Sequence, residues 1–98
     1  MAGPRFEWDG KKASSNLRKH GVSFEEAESA FSDERGLQLD DPDHSESEER
    51  LLLLGLSAAL RMIVVSHIYR EEDDVIRIIS ARRATTHERG EYEERWSR

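Results

Sequence analysis

The chain is 98 residues long, carries a net charge of −6 and contains no cysteine. That length supports one hydrophobic core, hence a single domain over residues 1–98, and the lack of thiols excludes disulfides, thiolate metal sites and a cysteine nucleophile. The longest apolar run, Leu51 to Leu60, is too short to span a bilayer, and the first residues lack the apolar stretch of a secretory signal, so a cytoplasmic location away from membranes is expected.

Phe6-Glu7-Trp8 alternates large apolar and polar residues and reads as a short edge strand. Asp9 is a candidate N-cap for a helix over Lys11 to His20, with Gly21 as its stop. Helical spacing predicts Ala13, Leu17 and His20 on the inner face of that helix. Ser23-Phe24-Glu25-Glu26 has the form of a capping box, with Ser23 accepting from the Glu26 amide and the Glu26 side chain reaching back. Phe24, Ala27, Ala30 and Phe31 then form an apolar stripe, and this second helix is expected to end near Asp33.

Leu37-Gln38-Leu39 alternates as a strand. Asp40 to Arg50 is polar, contains Pro42 and reads as an exposed loop. Leu51 to Leu56 and Met62 to Tyr69 are two strands joined by a turn of small residues. Glu71 to Asp74 is an acidic hairpin turn leading into a last strand, Val75 to Ala81. Thr85 or Thr86 caps a final helix over about His87 to Trp96. A strand, two helices, an antiparallel meander and a C-terminal helix, with the helices gathered on one face, make an α+β two-layer fold.

The acidity is local. Residues 21–50 hold eleven acidic and two basic side chains, whereas residues 1–20 hold five basic and two acidic ones and residues 51–98 balance. A cationic surface elsewhere is therefore compatible with the net charge. The four histidines, His20, His44, His67 and His87, have no ligand spacing, and Asp40 to His44 lacks the glycine and carboxylate pattern of a calcium loop. No glycine-rich phosphate loop and no nucleophile-elbow motif occurs. Neither a metal nor a cofactor is implied.

The segment richest in chemistry is Arg77 to Arg83. Regular alternation places Arg77, Ala81 and Arg83 on one face of the strand, and Ser80 and Arg82 on the other. An arginine among β-branched residues needs an anionic partner. Two readings stand level on the pattern alone: an ion pair with Asp41, Glu48 or Glu49, or a guanidinium fork held for phosphate. His67 lies on the preceding strand, within reach of such a site. Lys12 and Lys19 have the plain reading of a solvated helix face.

These pieces resemble the BrnT family, ribonuclease toxins of toxin–antitoxin pairs with a fold like that of RelE and ParE toxins. The resemblance runs over about residues 6–92. It rests on Phe6-Glu7-Trp8-Asp9, Lys12 with Asn16, and Lys19-His20-Gly21-Val22-Ser23-Phe24-Glu25-Glu26-Ala27. It continues through Asp41, His44-Ser45, Glu48, Arg50 and Gly55, and closes with Arg77 to Thr85, Glu88-Arg89 and Tyr92. Gly10 stands where the family usually has proline after Trp-Asp.

The resemblance implies a metal-independent endoribonuclease that cuts messenger RNA. It also implies a BrnA-like antitoxin, a two-plus-two complex joined through that antitoxin, and operator DNA bound only through it. Within that implication Arg77 and Arg82 are the candidates for stabilising phosphate charge, Lys12 for assisting or acting as base, His20 and His67 for carrying protons, and Glu48 for orienting an arginine. The alternative is a non-catalytic module that binds the antitoxin and tunes autorepression. A third reading is a free-standing domain whose arginines serve only ion pairs.

Overall fold

In a computed structural model, which describes residues 3–41 and 50–97, five strands form one mixed sheet in the order β1-β5-β4-β3-β2. The strands are β1 (Arg5–Glu7), β2 (Leu37–Asp40), β3 (Arg50–Leu56), β4 (Met62–Arg70) and β5 (Val75–Arg83). The helices are α1 (Gly10–His20), α2 (Phe24–Ala30) and α3 (Thr86–Trp96). β2 to β5 form the expected antiparallel meander, but β1 pairs parallel with β5, which makes the sheet mixed. No helix among the described residues is long and apolar enough to cross a membrane.

Local chemistry explains the helix ends. The Asp9 carboxylate accepts from the Lys11 amide, and Gly21 ends α1 in the left-handed region at φ 68°. Ser23 caps α2 by accepting from the Glu26 amide. Half of the expected box is missing there, because the Glu26 side chain binds Arg61 and the Ser57 hydroxyl instead of turning back. The reciprocal box occurs at α3, where Thr85 accepts from the Glu88 amide and the Glu88 carboxylate accepts from the Thr85 amide.

The core lies between one face of the sheet and α1–α2. Val22, Phe24, Ala27 and Ala30 pack on Leu53, Ile63, Val65, Ile78 and Ala81, with Phe6, Trp8, Ala13 and Phe31 at the margin. Burying these side chains is the main favourable term, at roughly 25 cal/mol per Å² of apolar surface. Contrary to the periodicity, the buried position of α1 is Asn16, while Leu17 is 50% exposed and His20 lies in solvent. The reason is a backbone demand. β1 pairs with β5 only as far as Arg77, so the Ala81 peptide has no strand neighbour on that side. The Asn16 amide supplies one: Nδ2 donates to the Ala81 carbonyl at 2.8 Å, and Oδ1 accepts from its amide at 3.1 Å. Nδ2 also donates to the Val22 carbonyl at 2.9 Å, which ties the α1–α2 corner to the sheet.

The helices do not all lie on one face. α3 crosses the opposite face above Leu54 and Val64, both buried, and is held by polar hooks. Glu88 binds Arg82, the Tyr92 hydroxyl donates to Asp33 at 2.7 Å, and the Trp96 indole donates to the Arg35 carbonyl at 2.8 Å. The hydroxyl of Tyr92 is pushed up to about 12 by burial and by the Asp33 carboxylate beside it.

Asn16→Ala strands the Ala81 amide and carbonyl inside the protein. It is expected to lower unfolding free energy by about 3 kcal/mol, read from urea denaturation. A loss below about 0.5 kcal/mol would show that this clamp is dispensable.

Candidate nucleic-acid interface

The face of the sheet opposite α1 and α2, here the outer face, is set by strand register. Residues paired across neighbouring strands share a face, and successive residues alternate. β4 alternates without interruption, but β5 does not. Ser66 pairs with Ser80 and His67 pairs with Ile78, so Ile79 is an extra residue in a β-bulge. The bulge changes the parity of everything after it. Arg77 pairs with Ile68 and Arg82 with Val64, and both of those β4 residues point outward. Arg77, Ser80 and Arg82 therefore share the outer face, and Arg83 lies on the helix side with Ala81. This corrects the strict alternation, which separates Arg77 from Arg82.

The same register places Arg5, Arg70 and Arg50 on the outer face as well. The charged strand residues on this face, among those described, are five arginines and Glu7. A chain of net charge −6 thus carries one sheet face whose strand residues are net positive.

Each end of that surface is organised by a carboxylate. Glu7 lies beside Arg77 in the parallel pairing, and its Oε2 accepts from Arg77 at 2.8 Å and from Arg70 at 2.9 Å. Arg70 also meets Asp73 at 3.0 Å. The guanidinium of Arg77, and then that of Arg70, hold the Glu7 carboxyl below the usual range. At the other end Arg82 grips Glu88 in a two-point fork, at 2.8 and 2.9 Å. That fork, joined by the Thr85 amide and hydroxyl, holds the Glu88 carboxyl down at about 2. Of the two readings left level by the sequence, the free protein adopts ion pairs, but with Glu7 and Glu88. Glu48 and Glu49 lie outside the described residues, as does His44.

Arg77 and Arg82 stand roughly 15 Å apart along the strand. That separation suits two non-adjacent phosphates of one strand rather than a single phosphate. Both ion pairs are partly solvated, with 38% and 41% of the two arginine side chains exposed. Such pairs contribute less than about 1 kcal/mol each, so a polyanion can exchange for the carboxylates.

Lys12 and His20 are exposed on α1, one turn before and one turn after Asn16. Since Asn16 is docked on Ala81, these two side chains flank the stretch of β5 that β1 leaves unpaired. His67 is not brought to the arginines. It is 1% exposed, faces the helix side opposite Ile78, and meets the Phe31 ring edge-on at 4.8 Å. Its Nδ1 donates to the Val65 carbonyl at 3.1 Å, and burial lowers its pKa, so the ring is neutral near pH 7. The place of His67 on the strand beside Arg77 suggests an imidazole near that arginine; strand alternation turns it away. Sequence reasoning missed Arg70 and the clasping roles of Glu7 and Glu88. The alternation of Arg70 with Tyr69 was a readable signal, but the carboxylate partners come from distant segments.

A family model described as "Ribonuclease toxin, BrnT, of type II toxin-antitoxin system" matches residues 8–88 of the chain. Among solved structures, the fold is similar to the 1.1 Å crystal structure of the Brucella abortus ribonuclease toxin BrnT, with a TM-score of 0.65 and 24% sequence identity. That match covers 85% of this chain and 99% of the other. None of the curated proteins compared with the chain matches it.

The Glu88 pair gives a pH signature. Its folded pKa of about 2 lies below the ordinary 4.5, so its contribution is complete above that ordinary value and fades as pH falls toward the folded one. Glu88→Gln is expected to remove this acid-side loss, about 1 kcal/mol after solvent screening. Unfolding curves across the acid range check it, and parallel pH dependences of parent and variant would refute it.

Proposed function

This chain belongs to the BrnT family of ribonuclease toxins of type II toxin–antitoxin systems, and we propose that it is a metal-independent endoribonuclease that cuts messenger RNA bound across the outer face of its sheet. The observation that carries this reading is the bulge-made row of arginines, with Arg77 and Arg82 on one face. A single-stranded polyanion binds such a row through its phosphates, with the salt dependence that counterion release demands.

The chemistry fits what these residues can do. The 2′-oxygen of RNA attacks the adjacent phosphorus, and the bond from phosphorus to the 5′-oxygen breaks. The products are a 2′,3′-cyclic phosphate and a free 5′-hydroxyl. The 2′-proton must leave, charge on the phosphoryl oxygens must be stabilised, and the departing 5′-oxygen must take up a proton. Arg77 and Arg82 stabilise phosphate charge and fix the strand. Lys12 and His20, on the flank of β5, are the proton carriers. Glu48 remains a candidate for orienting an arginine. The neutral, inward-facing His67 has no part in this step.

The partner in this reading is a BrnA-like antitoxin that covers the cationic face. The complex is a heterotetramer joined through the antitoxin, which alone contacts operator DNA, and the toxin acts in the cytoplasm. The likeness to RelE toxins belongs to the same reading. A second reading, a non-catalytic module that binds the antitoxin and tunes autorepression, draws on one observation: Arg77 and Arg82 are already paired with Glu7 and Glu88 in the free chain.

Purified chain incubated with messenger RNA in chelator is expected to cut it, and Arg77→Ala and Arg82→Ala are each expected to slow cutting by about 100-fold. Cleavage persisting at full rate in both variants would overturn the site. Antitoxin binding without any cleavage would establish the second reading.

A further inference from the structure

The helix side of the sheet holds a cavity that the proposed reaction does not use. It has a volume of about 290 Å³ and lies beyond the end of the α1–α2 layer, near the β4–β5 hairpin. Its apolar walls are Pro4, Phe31, Ile76 and the ring of Tyr69; its polar groups are His67, Gln38 and Asp74. We infer that this pocket binds an unpaired nucleobase, a planar ring with N–H donors on its edge.

Three observations support that chemistry. First, the buried imidazole is an acceptor there. With Nδ1 donating to the Val65 carbonyl, the neutral ring leaves Nε2 as a bare lone pair, and Nε2 has no hydrogen bond to any described residue. Second, the hairpin places a carboxylate at the rim. Asp74 adopts the left-handed conformation, at φ 53°, and its Oδ1 accepts from the Tyr69 hydroxyl at 2.8 Å. Its second oxygen remains an acceptor. Third, the walls offer aromatic surface to a flat ring, and the volume fits one base, being at the small end of the roughly 300–1,000 Å³ of ligand pockets. Acceptors facing an aromatic slot select rings that carry amino or ring N–H groups, as bases with a free pairing edge do.

The pocket also stands at the right level of the sheet. Tyr69 and Ile76 point into it, and their neighbours Arg70 and Arg77 point to the outer face. An RNA strand leaving that face around the β4–β5 end would keep phosphates on Arg70 and Arg77 while turning one base into the slot. The RNA source of the base rests on the proposed function; the pocket itself does not.

The test separates the two. Titration of the ¹⁵N-labelled full-length chain with adenosine, guanosine, cytidine, uridine and ribose 5-phosphate follows the His67 ring nitrogens. At least one nucleoside is expected to shift Nε2 saturably, and ribose 5-phosphate, which lacks a base, to leave it unmoved. Gln38→Ala and Asp74→Asn are each expected to weaken that binding about tenfold and, in RNA digests, to change the preferred cut sites. No saturable shift with any nucleoside, or equal binding by both variants, would overturn the pocket. Nucleoside binding with unchanged cut sites would uphold the pocket and assign it to free nucleosides. Nucleoside binding by a chain that cuts no RNA would uphold the pocket and sink the nuclease.

Discussion

One buried amide holds the two halves of this fold together. β1 is three residues long and leaves β5 unpaired beyond Arg77. Asn16 then does for Ala81 what a strand would have done, one donor to the carbonyl and one acceptor for the amide. Because Asn16 sits on a helix, the substitution ends the sheet edge and anchors the helix layer in one step. The bond to the Val22 carbonyl extends the anchor to the turn before α2, whose apolar stripe closes the core. Together with the packing of Ala13 on the core, that side chain positions α1, and with it Lys12 and His20.

The second constraint is the bulge at Ile79. One extra residue reverses the parity of the last part of β5, so two arginines five residues apart come to share a face. This also reconciles the acidic sum of the chain with a local row of arginines. The acidic excess lies in residues 21–50, while the outer face collects arginines from β1, β3, β4 and β5. In the free protein Glu7 and Glu88 shield part of that charge. Such half-exposed pairs are weak enough to exchange for phosphate and still keep the guanidinium groups oriented.

α3 belongs to the same balance. None of its residues is buried, and its attachments are an ion pair, a phenol hydrogen bond and an indole hydrogen bond. Segments held by a few polar contacts open at lower free energy than the packed core. The carboxylate that clasps Arg82 therefore belongs to a helix without a buried residue.

Much of this was determined by the sequence alone. Helix ends follow from contacts within a turn, so Asp9, Gly21 and Ser23 could be read directly and the last cap narrowed to Thr85 or Thr86, and the strands appeared at nearly their true limits. The arginine-rich strand and its need for anionic partners were equally legible. Tertiary structure alone decided which face each arginine occupies, which carboxylates meet them, that Asn16 rather than Leu17 turns inward, and that His67 looks away from Arg77. The physical reason is common to all four. Capping and periodicity are local, whereas strand register, a one-residue bulge and a sheet edge that lacks a neighbour are properties of distant segments brought together.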